Sequence, residues 1–276
     1  FLGFEYELFV GEMSFSERIY YQEAYTSGNP ILTGAHFSIS PLPGFKLAVN
    51  RILQSGGGER GGRDFSDFLL AFFDPYAGDN TNENLDSDEQ FGNQTASFVA
   101  SFDFRGKMPF SLYAEYAGED TARRTTWRLG NAALSLGFYI PTIFSNHSFR
   151  FELSEWQNGW YSHSVYRDGL THHEGIIGHW GAEHRKVTSN FSGESVGARS
   201  LFLEWNSVFG NGKSLSLKYR TLSNEEYVNT SEYETFSSLD IHYFSEMYSY
   251  PTFINLQLSH SVFNKSQSHL SFGVFF

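Results

Sequence analysis

Along this chain the side chains change character at every second position, and segment after segment does so in the same sense. Over residues 213–222, Leu215, Leu217 and Tyr219 alternate with Ser216, Lys218 and Arg220. Over 147–155, Phe149, Phe151 and Leu153 alternate with Arg150, Glu152 and Ser154, and over 253–263 Ile254, Leu256, Leu258 and Val262 alternate with Asn255, Gln257 and Ser259. The chain closes on 268–276, where Leu270, Phe272, Val274 and Phe276 share one side. A period of two puts the two sets on opposite faces of a strand. One face is apolar and the other charged, so a sheet of such strands needs an apolar surrounding on one side and a wet one on the other.

A transmembrane β-barrel meets that demand, and a final strand ending on an aromatic residue resembles the closing strand of a bacterial outer-membrane barrel. Mean hydropathy is negative, and no run approaches the roughly 18 apolar residues of a membrane helix. Barrel strands escape such a scan because lipid-facing and lumen-facing residues average out. Aromatic residues make up 18% of the chain, with 29 Phe and 16 Tyr against 3 Met and no Cys, which suits strands carrying rings at both membrane interfaces. Absence of cysteine fits passage through an oxidising periplasm as well as many cytosolic proteins. The net charge of −12 argues against nucleic acid, which needs clustered Lys and Arg. The chain begins at Phe1 with no Met or signal peptide, so the expectation is the C-terminal part of a longer exported precursor.

The same reading places strands near 4–13, 31–41, 45–54, 89–104, 109–118, 125–140, 147–155, 197–209, 213–222, 236–247, 253–263 and 268–276. If the last strand ends in the periplasm and neighbours alternate, the short connections at Leu42-Pro43-Gly44, Arg105-Gly106-Lys107-Met108, Gly210-Asn211-Gly212 and Pro251 fall on the periplasmic side. The long connections then lie outside, as in this class of barrel. Parity also excludes a strand at 65–73. Phe65, Phe68, Leu69 and Phe72 have i, i+3, i+4, i+7 spacing behind Asp64, predicting a short capped helix within an outer loop of 55–88, whose rings pack the loop down onto the barrel.

Three outer segments carry the chemistry. The loop 55–88 joins Gly56-Gly57-Gly58-Glu59-Arg60-Gly61-Gly62-Arg63 to an acidic stretch through Asp74, Asp79, Asp86, Asp88 and Glu89. Calcium would use such oxygens, but the EF-hand spacing is absent, and a hydrated acidic loop is the simpler reading. The segment 156–196 holds Trp156, Trp160, Tyr161, Tyr166, Arg167, Asp168, His172, His173, His179 and Trp180. It is too aromatic for disorder and too long for a plain connection, so it is expected to fold over the barrel mouth, with room for either no strands or two. Its histidines lack an HExxH or paired-Cys pattern, so no metal is expected. Rings beside Asn, Asp, Arg and His match the flat C–H faces and hydroxyl rims of sugars. They equally suit a lid locked by its own hydrogen bonds. The third segment, Tyr113 to Asp120, turns Glu115 inward and puts Glu119 and Asp120 at a strand tip. A glycosidase pair is conceivable there, but pairing of Glu115 with lumen Arg150 or Arg220 is the expected outcome. His260 beside Ser259 and Ser261 suggests a hydrolase only weakly, because neighbours on a strand face opposite sides and no GxSxG is present.

The order of several of these segments resembles the Wzi family of outer-membrane capsule-assembly proteins. The resemblance rests on Leu32-Thr33-Gly34-Ala35 leading through Pro41 to Phe45-Lys46-Leu47-Ala48-Val49, on Phe65-Ser66-Asp67-Phe68, on the Tyr113–Asp120 strand end, and on Tyr166-Arg167-Asp168-Gly169 followed by Gly178-His179-Trp180-Gly181. It covers most of the chain from about residue 30. It implies a barrel of about eighteen strands behind a periplasmic helical segment, with even strand number, and a lectin-like role in holding surface polysaccharide.

The expectation is therefore an all-β chain, 1–276, forming one N-terminally incomplete, antiparallel up-and-down barrel domain in the outer membrane of a Gram-negative cell. Loops 55–88 and 156–196 are its lids. Its function is to bind and organise capsular or extracellular polysaccharide, without catalysis or cofactor. Expected partners are that polysaccharide and outer-membrane lipids, with no nucleic acid, and the barrel is expected to be a monomer. The alternative is a diffusion porin whose lumen charges Glu115, Arg150, Glu152, Lys218 and Arg220 set selectivity.

Overall fold

In the computed structural model, twelve strands form one antiparallel sheet in which every strand lies beside its neighbour in barrel order. The structure describes residues 3–61, 64–74, 86, 88–122, 125–157, 159–161, 163–173, 175–178, 197–224, 234–247 and 250–275. The elements run β1 (Gly3–Glu12), β2 (Ser16–Tyr21), β3 (Ala24–Gly28), β4 (Ile31–Leu42), β5 (Phe45–Ser55), α1 (Phe65–Phe73), β6 (Asn93–Phe104), β7 (Phe110–Ala122), β8 (Thr125–Ile143), β9 (His147–Trp156), β10 (Thr171–His172), β11 (Gly175–Ile176), β12 (Ala198–Phe209), β13 (Lys213–Asn224), β14 (Phe236–Met247), β15 (Tyr250–His260) and β16 (Ser266–Val274). β2–β3 and β10–β11 are separate two-stranded pairs; the other twelve strands are the wall, with β1 and β16 at its two edges. Among the described residues no helix is long and apolar enough to cross a membrane.

The register shows why the alternation matters. On one face, Ile140, Phe149, Trp205, Leu217, Ile241, Leu256 and Leu270 stand side by side across seven strands. One residue along, Tyr139, Arg150, Glu204, Lys218, Asp240, Gln257 and His269 form an equally continuous row on the other. A one-residue slip of any strand would bring a charge into the apolar row, so the pattern fixes the register. The apolar outer face is bare: Leu136, Leu270 and Phe272 are each more than half exposed, which in water would be a large sticky patch. The inner face receives the folded loops.

All five connections at one end are short, at residues 43–44, 105–109, 144–146, 210–212 and 248–249, and three of the connections at the other end are long, at 13–30, 56–92 and 157–197. Two there are not. β7 and β8 are joined through 123–124 and β15 and β16 through 261–265. Four sequence expectations shift. Pro251 is not a turn but lies within β15 opposite Glu246. The ladder stops at His260, so Val262 leaves the outer row, turns inward and is buried with Trp156, Ala198 and Leu222. β7 runs on past the predicted tip, so Glu119 sits in the ladder opposite Thr95 and is buried. Asp64 is the residue before α1, yet its side chain makes no capping hydrogen bond; its carbonyl accepts from the Phe68 amide. Phe276 lies outside the described residues.

α1 does not lie over the mouth. Phe68, Ala71 and Phe72 pack with Leu53 and Phe91, and Phe72 meets the edge of Phe37, so the helix is laid against the outer face of β4–β6. There it covers Arg51, whose side chain points to the apolar face but is buried; its Nη2 donates to the Ala71 carbonyl at the helix end and to Gln94. A cation at the carbonyl end of a helix is well placed for both hydrogen bonding and the helix dipole.

Candidate functional site

Three segments at the long-loop end interlock into a plug on the inner face. The first is the β2–β3 hairpin, turned by Gln22 and Glu23, both at positive φ. The second is the stretch around residues 56–61 and 88–92, and the third is 157–178. Ile19 bridges Tyr166, the Tyr20 amide donates to the Val165 carbonyl at 2.8 Å, and the Arg167 amide donates to Arg18 at 3.1 Å. Ile19, Val165 and Tyr166 form a dry cluster at the junction. The glycine run has its use here. A Cβ on Gly57 would stand 2.6 Å from Ile19 Cδ1, and one on Gly58 would stand 2.6 Å from the Ser27 carbonyl. Both residues have positive φ as well, so only glycine fits without strain.

Several predicted sugar-binding residues hold this plug together. The Tyr166 hydroxyl, deep in the junction, donates to the Gly56 carbonyl at 3.0 Å. Asp168 accepts from Ser16 Oγ at 2.6 Å. The exposed His172 accepts from the Ser14 amide at 3.0 Å through Nδ1, while the His173 amide donates to Ser14 Oγ at 3.1 Å. Arg167 is half-buried beside them. Trp156 is buried at the rim with Ala198, Leu222 and Val262. His179 and Trp180 lie outside the described residues.

Trp160 and Tyr161 are placed differently. With Trp156 they form the loop side of a cavity of about 340 Å³ whose wall side includes Asn50, Ser97, Glu115, Ser135 and Ser154. The polar wall is ordered: Asn50 Nδ2 donates to Ser97 Oγ at 2.8 Å, and Ser135 and Ser154 hydroxyls meet at 3.0 Å. The Tyr161 hydroxyl donates to the Ile177 carbonyl, and burial, aided by the negative charge of Glu119, raises its pKa well above the ordinary phenol range. It is therefore a fixed neutral donor. His163 is driven the other way, down to about 3, chiefly by burial and also by Arg60 and Arg167. It stays neutral, and its Nδ1 accepts from the Val165 amide at 3.1 Å.

The inner charges form their own row. Arg150 and Lys218 flank Glu204 at 3.8 and 3.6 Å, Tyr113 donates to Glu152, and Arg220 lies over the Phe202 ring at 4.9 Å. The expected pairing of Glu115 with Arg150 or Arg220 is thus replaced by these contacts, because Glu115 sits in register with Ser135 and Val99, farther toward the plug. Among the described residues no three His, Asp or Glu side chains come together to hold a metal ion. The acidic stretch read as a hydrated loop rather than a calcium site falls largely outside the described residues. His260 does meet a serine, but it is cross-strand Ser266, at 3.0 Å from Nδ1, with Glu234 3.5 Å from Nε2. The strand-neighbour argument correctly removed Ser259 and Ser261 and missed this partner across the hairpin.

What sequence reading missed altogether is the β2–β3 hairpin. Its two-residue turn is Gln-Glu, without the Asn-Gly or Asp-Gly that marks such turns, and Ile19 carries no chemistry that would single it out.

A family model for capsule assembly protein Wzi matches residues 2–260. In three dimensions the chain resembles Wzi of Escherichia coli, an outer membrane protein involved in group 1 capsule assembly and a carbohydrate-binding β-barrel, with a TM-score of 0.58 at 15% identity. The match covers 91% of this chain and 54% of that one, so the chain spans about half the length of the solved structure it resembles. No sequence match was found among curated proteins.

Proposed function

Since this chain belongs to the Wzi family of capsule assembly proteins, we propose that it is part of an outer-membrane barrel that binds and organises capsular or extracellular polysaccharide without chemically altering it. The observation that carries this reading is the cavity under the plug. Trp156, Trp160 and Tyr161 face an ordered polar wall of Asn50, Ser97, Glu115 and Ser135, the pairing of planar rings with convergent hydrogen-bonding groups that sugars require. Trp160 is the principal contact, and the Tyr161 hydroxyl beside it, its proton held by the Ile177 carbonyl, accepts from a sugar hydroxyl. Tyr166, Asp168, His172 and His173 serve mainly to hold the lid, and Trp180 and His179 are further candidate sugar contacts by residue type alone. The free edges of β1 and β16 are consistent with a wall that further strands complete, and the barrel acts as a monomer among outer-membrane lipids.

Trp160→Ala in cells producing the polymer tests this. Retention of polysaccharide at the surface is expected to fall, with the barrel still folded, because a single buried ring often carries more than about 2 kcal/mol of a binding energy. Normal retention in both Trp160→Ala and Trp180→Ala would make these rings structural. The porin alternative has the charged inner row in its favour. Stable open steps in planar bilayers would support it, whereas the plug predicts a silent barrel.

A further inference from the structure

α1 turns its second apolar side away from the protein. Phe68, Ala71 and Phe72 meet the sheet, while Phe65 is 74% and Phe73 76% exposed, with Leu69 and Leu70 also on the surface. Four large apolar side chains on a nine-residue helix would be a liability in water. They are continuous with the bare outer face of β1 and β4, where Leu8, Val10 and Phe37 stand. Between that face and α1 runs a groove of about 320 Å³, bounded by Leu8, Val10, Phe37, Phe68, Leu69 and Phe72.

The depth is set by what α1 covers. Down β5 the outer-face residues are Leu53, Arg51, Val49 and Leu47, and the helix sits over the first two. It thus begins where the apolar band ends. A helix apolar toward the wall and apolar outward, with only Ser66 and Asp67 polar on its first turn, suits an apolar surrounding and lies against the wall at the level of the upper acyl chains. Arg51 and Gln94, which would otherwise face hydrocarbon, are hydrogen-bonded to each other beneath it, and Arg51 to the Ala71 carbonyl as well, in keeping with the cost of bare polar groups at membrane depth.

We infer that α1 is an interfacial helix lying in the outer leaflet against the barrel wall, and that the groove between it and β1–β4 holds an acyl chain of an outer-leaflet lipid. This rests on the outer-membrane reading of the barrel, and the two fail separately in the following experiment. The chain has no cysteine, so Leu69→Cys, Leu70→Cys, Leu136→Cys and Asn264→Cys each carry one environment-sensitive fluorophore on the full chain. The labelled proteins are inserted into phosphatidylcholine vesicles with or without bromine on the acyl chains. Leu136, on the outer face of β8, reports the barrel wall, and Asn264, in the β15–β16 turn, reports water. Labels at Leu69 in the groove and Leu70 on the free side are expected to lose most of their fluorescence to brominated chains, as Leu136 does, while Asn264 keeps its own. Quenching at Leu136 with none at Leu69 and Leu70 overturns the interfacial helix and leaves the barrel standing. Quenching at Leu70 alone overturns the occupied groove. An unquenched Leu136 overturns the membrane barrel itself.

Discussion

Replacing Ile19 by alanine should loosen the plug without loosening the wall. Ile19 has no exposed surface and is enclosed by Val165, Tyr166 and the glycine at 57. Truncating a fully buried isoleucine typically costs about 2–5 kcal/mol, the removed methylenes plus the cavity left behind. The strands of the wall keep all their ladder partners, so this energy is taken from the docking of the hairpin on segment 163–171. Two amides report that docking directly: Tyr20, bonded to Val165 at 2.8 Å, and Arg167, bonded to Arg18 at 3.1 Å. At the lower limit, about 2 kcal/mol, local opening becomes about 30-fold more frequent, and the hydrogen-exchange protection of both amides falls by that factor. Protection on β12–β15 should not move. Tyr166→Phe, which leaves the Gly56 carbonyl without its buried partner, should give a smaller loss of about 1–3 kcal/mol at the same amides. If Ile19→Ala leaves Tyr20 and Arg167 as protected as before, or weakens wall and plug equally, the interlock is not what holds the loop.

Acid should open the same junction. Neutral His163 accepts a hydrogen bond and has a proton affinity depressed to about 3 in the closed plug, whereas the freed loop titrates near the ordinary 6.5. The open form therefore binds more protons below pH 6.5, so closure is at full strength above that value and weakens by about 1.4 kcal/mol per pH unit as pH falls toward 3. Exchange at Val165 followed from pH 7 to 5 checks this, and His163→Gln should flatten the profile. Arg51→Ala should release α1 from the wall, since the Ala71 carbonyl and Gln94 lose their shared donor at about 1–3 kcal/mol. Exchange at Phe68 and Asp74 should rise while the ladder of β5 with β4 remains protected.

The wall was legible because a barrel writes its environment into every second residue. The alternation that put Leu215, Leu217 and Phe151 on one face agrees with the register in which they stand, and the twelve strands and α1 lie close to where that periodicity put them. Legibility failed where side chains leave the ladder. Val262 continued the pattern in sequence while the chain had already turned inward, and Glu119 looked like a loop tip because β7 extends past the point where its own alternation fades. Arg51 was harder still: on the apolar face it reads as an error until the helix that covers it is in place. The aromatic segment expected at 156–196 starts on the last residue of β9, and nothing in the types of Tyr166 or Asp168 tells a lid fastener from a sugar contact. That division depends on Ser16, Ile19 and Gly56, more than a hundred residues away in sequence.

The decisive property is whether this plugged barrel holds polysaccharide and leaves it intact. Purified full chain, immobilised in detergent micelles, is exposed to purified capsular polysaccharide from its own source, and both the bound amount and the length of the recovered polymer are measured. Saturable, reversible retention that drops in Trp160→Ala, with polymer length unchanged, is the predicted result. No retention above that of an unrelated barrel, or recovery of shortened chains, would contradict it.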